Sequence, residues 1–198
     1  MFNLFRDLRI GVLGIQGAVS EHIESLKKCG AGYVAVRKAA LLDDLDGLII
    51  PGGESTTIGR LSGLYGYQDR ISAMAAAGKP IFGTCAGLIL LARELEGQDP
   101  ILALMSIKVR RNAFGRQKES FEADLQIPVL GEEPYCGVFI RAPIITSVQE
   151  GAGVLAQFQG QIVAVRENNL LAASFHPELT DDLRFHNYFL GMALQKAV

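Results

Sequence analysis

Three observations predict an α/β fold, a three-layer sandwich of helices around a mostly parallel central sheet. Short apolar runs alternate with stretches of helical periodicity through the first half of the chain. The runs are apolar throughout, as in strands whose two faces are both covered by helices. Glycine-rich loops follow directly on several of them, at the strand C-termini where sheets of this kind bind ligands.

Residues 9–15 are β-rich and nearly uncharged, and predict the first strand. Gln16-Gly17-Ala18 is its loop, and Val19, Ile23 and Leu26 recur at helical spacing up to a closing Gly30. Residues 33–36, 47–50 and 80–82 read as the next three strands, with helical pattern at 56–61 and 67–77 between them and at 88–94 beyond. The third strand ends at Pro51-Gly52-Gly53 and the fourth at Gly83. From residue 107 the texture turns to extra β segments at 107–111, 120–126, 135–140, 144–148, 154–158, 161–165 and 170–175. A terminal helix carries Phe185, Tyr188, Phe189 and Met192. The change of texture near residue 105 has no linker, repeat or low-complexity tract beside it, so 1–198 is expected to be one domain.

Composition narrows the function classes. The chain is 49% hydrophobic and 20% charged, which fits a globular protein, and 198 residues bury roughly 70% of their unfolded surface, enough for a core without staples. Nineteen Lys and Arg against 21 Asp and Glu leave a net charge of −2, without the basic footprint a nucleic-acid partner requires. The longest stretch free of Asp, Glu, Lys and Arg, 151–165, carries three glutamines and falls short of the ~20 apolar residues of a membrane span. No apolar segment follows a basic one at the N-terminus, so a cytoplasmic protein is expected. Cys29, Cys85 and Cys136 fit neither a disulfide framework nor zinc-ligand spacing, and no residue pattern calls for a metal or bound cofactor. The excess is in glycine, 22 of 198 or about 11% against a usual ~7%.

Gly83-Thr84-Cys85-Ala86-Gly87, between an apolar strand and a helical run, is a nucleophile elbow with a thiol in place of the serine hydroxyl. A sharp turn lifts the central side chain clear and demands small neighbours, and the helix N-terminus behind it favours thiolate. A free thiol of pKa ~8.5 is only about 3% ionised at pH 7, so that help matters. Cys29 and Cys136 lack this context and read as packing residues. Of the three histidines, His22 and His186 lie in helical patterns with charged neighbours and read as surface residues. His176 ends a strand and opens His176-Pro177-Glu178; on an extended chain Glu178 lies on the same side as the imidazole and fixes its tautomer. Alone, this is a loop with a chance acid. With the elbow it completes a Cys-His-Glu triad. The loop Pro51-Gly52-Gly53-Glu54-Ser55 can turn backbone N–H groups toward a ligand, as an oxyanion hole requires. Gly151-x-Gly153-x-x-Ala156 fits a dinucleotide fingerprint by letters, but β-rich sequence follows where a helix is needed.

Gly-Thr-Cys-Ala-Gly, Pro-Gly-Gly-Glu-Ser and His-Pro-Glu together resemble the triad-type class I glutamine amidotransferases. Residues 13–18 with Glu21-His22, and residues 51–57, 111–117, 120–123, 137–143 and 174–180, resemble the branch of that family that serves pyridoxal 5′-phosphate synthases. The resemblance implies a flavodoxin-like class I glutamine amidotransferase fold. It also implies hydrolysis of L-glutamine to glutamate and ammonia, with the ammonia passed to a barrel-shaped synthase subunit in a large hetero-oligomer with a dodecameric core. It makes Cys85 the nucleophile, His176 the base and Glu178 its orienting partner. Glutamine contacts carry over to Gly52, Gly53, Glu54, Arg111, Ile140 and Arg141. Gln16, Gly53 and Ala86 carry over to the oxyanion region. Other readings are a glutaminase serving another synthase, such as one making histidine precursors or purines, a non-catalytic docking module, and, more distantly, a nucleotide-binding protein.

Overall fold

The computed structural model describes residues 4–111 and 120–197. Residues 112–117 of the segment singled out in the sequence lie outside the described residues. The first half runs β1 (Arg9–Leu13), α1 (Val19–Cys29), β2 (Gly32–Val36), β3 (Gly47–Ile50), α2 (Ser55–Leu64), α3 (Tyr67–Ala76), β4 (Ile81–Thr84) and α4 (Ala86–Leu91). The second adds β5 (Ala92–Leu95), β6 (Met105–Arg110), β7 (Ser120–Leu125), β8 (Tyr135–Ile140), β9 (Ile144–Val148), β10 (Gly153–Phe158), β11 (Gln161–Glu167), β12 (Leu170–Ala173) and α5 (Arg184–Ala197).

The main sheet has the order β2-β1-β3-β4-β12-β11-β9-β6-β5, with β10 on β11, and β7-β8 form a separate hairpin. Strands β2, β1, β3, β4 and β12 are parallel, and antiparallel pairing begins at β11. Alternation of side chains across the sheet explains why these runs are apolar throughout. Leu48, Ile50 and Ile81 join one core with Ile58, Ile71 and Met74 of α2 and α3. Ile49 and Phe82 join the opposite core with Leu26 of α1 and Phe185 and Phe189 of α5. Both faces are thus covered, as expected of the sandwich.

One segment departs from the sequence reading. The helical pattern at 88–94 ends at Leu91, and Ala92–Leu95 becomes strand β5, parallel to β6. A short apolar run has no periodicity that separates a buried helix from a buried strand, and here pairing with β6 decides it.

Candidate active site

The topology brings the candidate residues together. Strands β3, β4 and β12 are adjacent and parallel, with Ile50 opposite Gly83 and Ala173 opposite Thr84. Their chains therefore leave the sheet at one level, delivering Gly52, Cys85 and His176 to the same end. Strand β1, on the other side of β3, delivers Gln16 and Gly17.

At the elbow, Cys85 has φ 49° and ψ −100°, a conformation that costs on the order of 1–3 kcal/mol for a non-glycine residue. Its N–H donates to the Ala173 carbonyl at 2.8 Å, which holds the corner against β12. A Cβ on Gly83 would lie 2.6 Å from the Gly87 carbonyl, and one on Gly87 would lie 2.1 Å from the Ile50 carbonyl oxygen. The two glycines of the motif are fixed by close backbone approach on both sides of Cys85. Helix α4 is only six residues long, so its dipole is a lesser aid to the thiolate than the sequence pattern implies.

His176 lies over Gly52 beside the thiol: a Cβ on Gly52 would fall 2.5 Å from His176 Cε1 and 3.3 Å from Cys85 Cβ. His176 Nδ1 and Glu178 Oε1 are 2.7 Å apart, and Glu178 is 7% exposed. The structure corrects the expectation of an extended His-Pro-Glu. Pro177–Leu179 form a single 3₁₀ turn, because proline fixes φ near the helical value and suits the first turn, and this turn carries the carboxylate back under the ring. Burial works against a charged imidazole, yet the Cys85 thiol and the Glu178 carboxylate overrule it and push the His176 pKa up to about 10. Burial likewise disfavours ionised Glu178, but the two imidazoles of His22 and His176 bring its pKa below the usual carboxylate value. The site is therefore poised to hold an imidazolium between a carboxylate and a sulfur at neutral pH.

These groups open onto a cavity of about 370 Å³, within the range of small-molecule sites. Every sequence-predicted substrate and oxyanion residue lines it: Gln16, Gly52, Gly53, Glu54, Ala86, Arg111, Ile140 and Arg141. Cys85 and His176 also line it, while Glu178 lies behind His176. Gln16 Oε1 accepts the Glu54 N–H at 2.8 Å, and the Gly52 carbonyl accepts the Ala18 N–H at 3.1 Å, so the β1 loop braces the glycine loop. Glu54 caps α2 by accepting the N–H groups of Thr56 and Thr57 at 3.0 and 2.6 Å, and the Thr57 side chain, with these N–H groups behind it, holds its pKa down to about 2 against the cost of burial. Arg111 reaches Gln98 at 3.1 Å and Glu54 at 3.5 Å. The hairpin supplies Ile140, whose carbonyl oxygen is 3.9 Å from Cys85 Sγ, and is tied to the site by the bond from His176 N–H to the Val138 carbonyl at 2.8 Å.

The surface reading of two histidines also fails. His22 and His186 are fully buried, packed against each other behind Glu178 rather than on the surface. His22 sits three residues after Val19 and four before Leu26, and His186 three before Phe189 and four before Leu190. Both therefore lie on the apolar stripes of their helices, a signal that outweighs their charged neighbours. Sequence reasoning also misses Thr84, whose hydroxyl accepts the Gly52 N–H at 3.1 Å. Cys29 is half-buried among apolar side chains, and desolvation pushes its thiol up to about 11. Among the described residues no group of three or more His, Cys, Asp and Glu is placed to hold a metal ion, and no helix is long and apolar enough to cross a membrane.

A parallel sheet bearing a cysteine elbow, with His and Glu from a neighbouring strand end, defines a class I glutamine amidotransferase fold. Solved structures agree. One described as a glutamine amidotransferase is 49% identical, with a TM-score of 0.86 over 93% of this chain and 98% of that one. A putative GMP synthase protein from Thermoplasma acidophilum, 18% identical, shares the fold with a TM-score of 0.70 over 95% of this chain and 94% of that one. Within that class the chain belongs to the SNO glutamine amidotransferase family, whose profile matches residues 12–195. Similar proteins include the pyridoxal 5′-phosphate synthase subunits PdxT of Geobacillus sp. (strain WCH70) and Moorella thermoacetica (strain ATCC 39073 / JCM 9320). Each is 56% identical over 93% of this chain, and the matches cover 96% and 99% of those relatives.

Proposed function

We propose that this chain, a single domain over 1–198, is the glutaminase subunit of a pyridoxal 5′-phosphate synthase. It hydrolyses L-glutamine to L-glutamate and passes the ammonia to a synthase subunit that builds the cofactor. The observation that carries the chemistry is the strained Cys85 corner beside the His176–Glu178 pair in one cavity. The family membership and the PdxT relatives support the pathway.

The Cys85 thiolate adds to the side-chain amide carbon of glutamine, forming a C–S bond and moving charge onto the amide oxygen. The backbone N–H groups of Gly53 and Ala86, with Gln16 beside them, form the oxyanion region; such a donor is typically worth about 3 kcal/mol in the transition state. His176 gives its proton to the amide nitrogen as the C–N bond breaks, and ammonia leaves a thioester. Neutral His176 then takes a proton from water, hydroxide adds to the thioester, and the C–S bond breaks to release glutamate and restore the thiolate. Glu178 accepts from His176 Nδ1 throughout and stabilises the imidazolium. Gly52, Gly53, Glu54, Arg111, Ile140 and Arg141 hold the substrate, the two guanidiniums suiting its α-carboxylate. The chain works in the cytoplasm in a hetero-oligomer with a barrel-shaped synthase subunit, where the lyase chemistry of cofactor assembly resides.

An ammonia-release assay with and without the cognate synthase tests the reading. Wild type is expected to release ammonia from glutamine with the synthase and little alone, and Cys85→Ala to release none. Undiminished release by Cys85→Ala overturns it.

A further inference from the structure

Behind the triad, away from the cavity, lies a buried cluster of polar groups that the glutaminase reaction does not use directly. His22 Nε2 is 3.3 Å from Glu178 Oε2 and 3.1 Å from Thr84 Oγ1, and His22 Nδ1 is 3.1 Å from His186 Nε2. The rings of both histidines stand edge-on to Phe82, and His22, His186 and Thr84 have no exposed surface. Desolvation lowers the pKa of both histidines, to about 3 for His186, so each carries a single ring proton at neutral pH.

The placement of those protons follows from what each nitrogen faces. With His22 protonated on Nε2, that N–H donates to Thr84 Oγ1 and also turns its positive end to the outer oxygen of Glu178, 3.3 Å away. His22 Nδ1 then accepts from His186 Nε2–H, and His186 Nδ1 is a bare lone pair. Neither that atom nor Glu178 Oε2 has a hydrogen-bond partner among the described residues: the 3.3 Å between His22 Nε2 and Glu178 Oε2 is an ion-pair contact and not a hydrogen bond. In the opposite arrangement the Nε2 lone pair of His22 accepts the Thr84 hydroxyl but also faces the carboxylate, and His186 buries an N–H without an acceptor. Among the described residues each arrangement leaves one buried donor unpaired, the Thr84 hydroxyl in the first and His186 Nδ1–H in the second, so the carboxylate decides: an N–H toward Glu178 is favoured over a lone pair, and the first arrangement prevails.

We propose that His22 is a positioning residue of the catalytic site: its Nε2–H, bonded to Thr84, faces the otherwise unpartnered outer oxygen of Glu178 and steadies the carboxylate that orients His176, with His186 setting its tautomer. The inference rests on the glutaminase reading above. Glu178 meets an imidazole on each side, hydrogen-bonded to His176 through one oxygen and 3.3 Å from His22 through the other. The same edge of His22 meets Thr84, which anchors Gly52 and immediately precedes Cys85. One imidazole therefore ties the triad carboxylate to the glycine loop.

The groups facing Glu178 are His22 of α1, with His186 of α5 behind it, His176, and Tyr135 of β8. Removing the His22 donor destabilises the carboxylate, so Glu178 takes up its proton at higher pH and the acid limb of activity moves up. The side-chain nitrogen of Gln falls near histidine Nε2 and that of Asn near Nδ1. His22→Gln therefore retains a donor for Glu178, whereas His22→Asn reaches only His186.

The test is the pH profile of kcat and KM for glutamine in the full complex with the cognate synthase. His22→Asn is expected to lower kcat by about 10-fold, the size of a donor removed from beside a buried charge, with KM little changed. Its acid limb of kcat/KM moves up by roughly half a unit or more, and His22→Gln restores both values toward wild type. Equal losses in the two variants with the limb in place, or wild-type behaviour of His22→Asn, overturn the proposal. Nitrogen NMR of the wild-type chain decides independently of how the variants fold. His22 and His186 should both be neutral and protonated on Nε2 from pH 6 to 8, and a proton on His22 Nδ1 overturns the assignment. A wild-type complex that releases no ammonia from glutamine sinks the glutaminase reading itself; an active complex indifferent to His22→Asn sinks only this inference.

Discussion

Replacing His186 by Gln should flatten one component of the protein's acid sensitivity. Folded His186 remains neutral down to about pH 3, because burial against His22 and Phe82 leaves its charge unsolvated. In the unfolded chain the same ring ionises near 6.5. Between those values the unfolded state binds the extra proton, so stability falls as pH drops below 6.5. From pH 7.5 to 5.5 the loss is about 1.3 kcal/mol, or ~3 °C in Tm for a chain of this length. His176 works in the opposite sense over the same window. Its folded pKa of about 10 makes its contribution complete only below 6.5, so the wild-type curve alone does not isolate His186. The difference between wild type and His186→Gln does, since Gln Nε2 keeps the donor to His22 Nδ1 and does not titrate. Urea melts of both proteins at pH 7.5, 6.5 and 5.5 should show wild type losing about 1.3 kcal/mol relative to the variant. A stability difference constant across the three pH values would refute the buried neutral pair.

Three further outcomes are expected. Glu178→Gln should lower kcat by up to about 10⁴-fold with KM for glutamine nearly unchanged, because His176 loses the acceptor that fixes its tautomer; steady-state ammonia release measures it. Gly17→Ala places a Cβ 1.8 Å from the Gly52 carbonyl oxygen at a φ of +114°. It should cost about 2 kcal/mol or more in a urea melt and displace the glycine loop, with a matching loss of ammonia release. Glu54→Ala removes the cap of α2 and should lower stability by about 1 kcal/mol in the same melt, with the helix start as the affected region in hydrogen exchange.

Much of the site is legible in the sequence because its chemistry demands local pattern. The elbow needs glycines flanking Cys85, the orienting acid needs to be near His176, and parallel strands must be apolar. The β3, β4 and β12 loops then meet by topology, which a strand pattern allows but does not order; the position of β12 beside β4 emerges only from the fold. What escapes has no local signature. Thr84 matters because its hydroxyl meets Gly52, 32 residues away, and His22 because Glu178 arrives from the far end of the chain. The strand at 92–95 depends on a partner in β6. At residue 177 proline permits both an extended chain and a turn, and the surroundings choose the turn.

The central claim, that Cys85 alone is the nucleophile, is tested most directly by intact mass and peptide mapping after treatment with 6-diazo-5-oxo-L-norleucine in the presence of the synthase. The thiols of Cys29 and Cys136 are both pushed up by desolvation and should stay unmodified. One adduct, on Cys85 and lost in Cys85→Ala, is the predicted result. An adduct on Cys29 or Cys136, or one that persists in Cys85→Ala, would contradict the account.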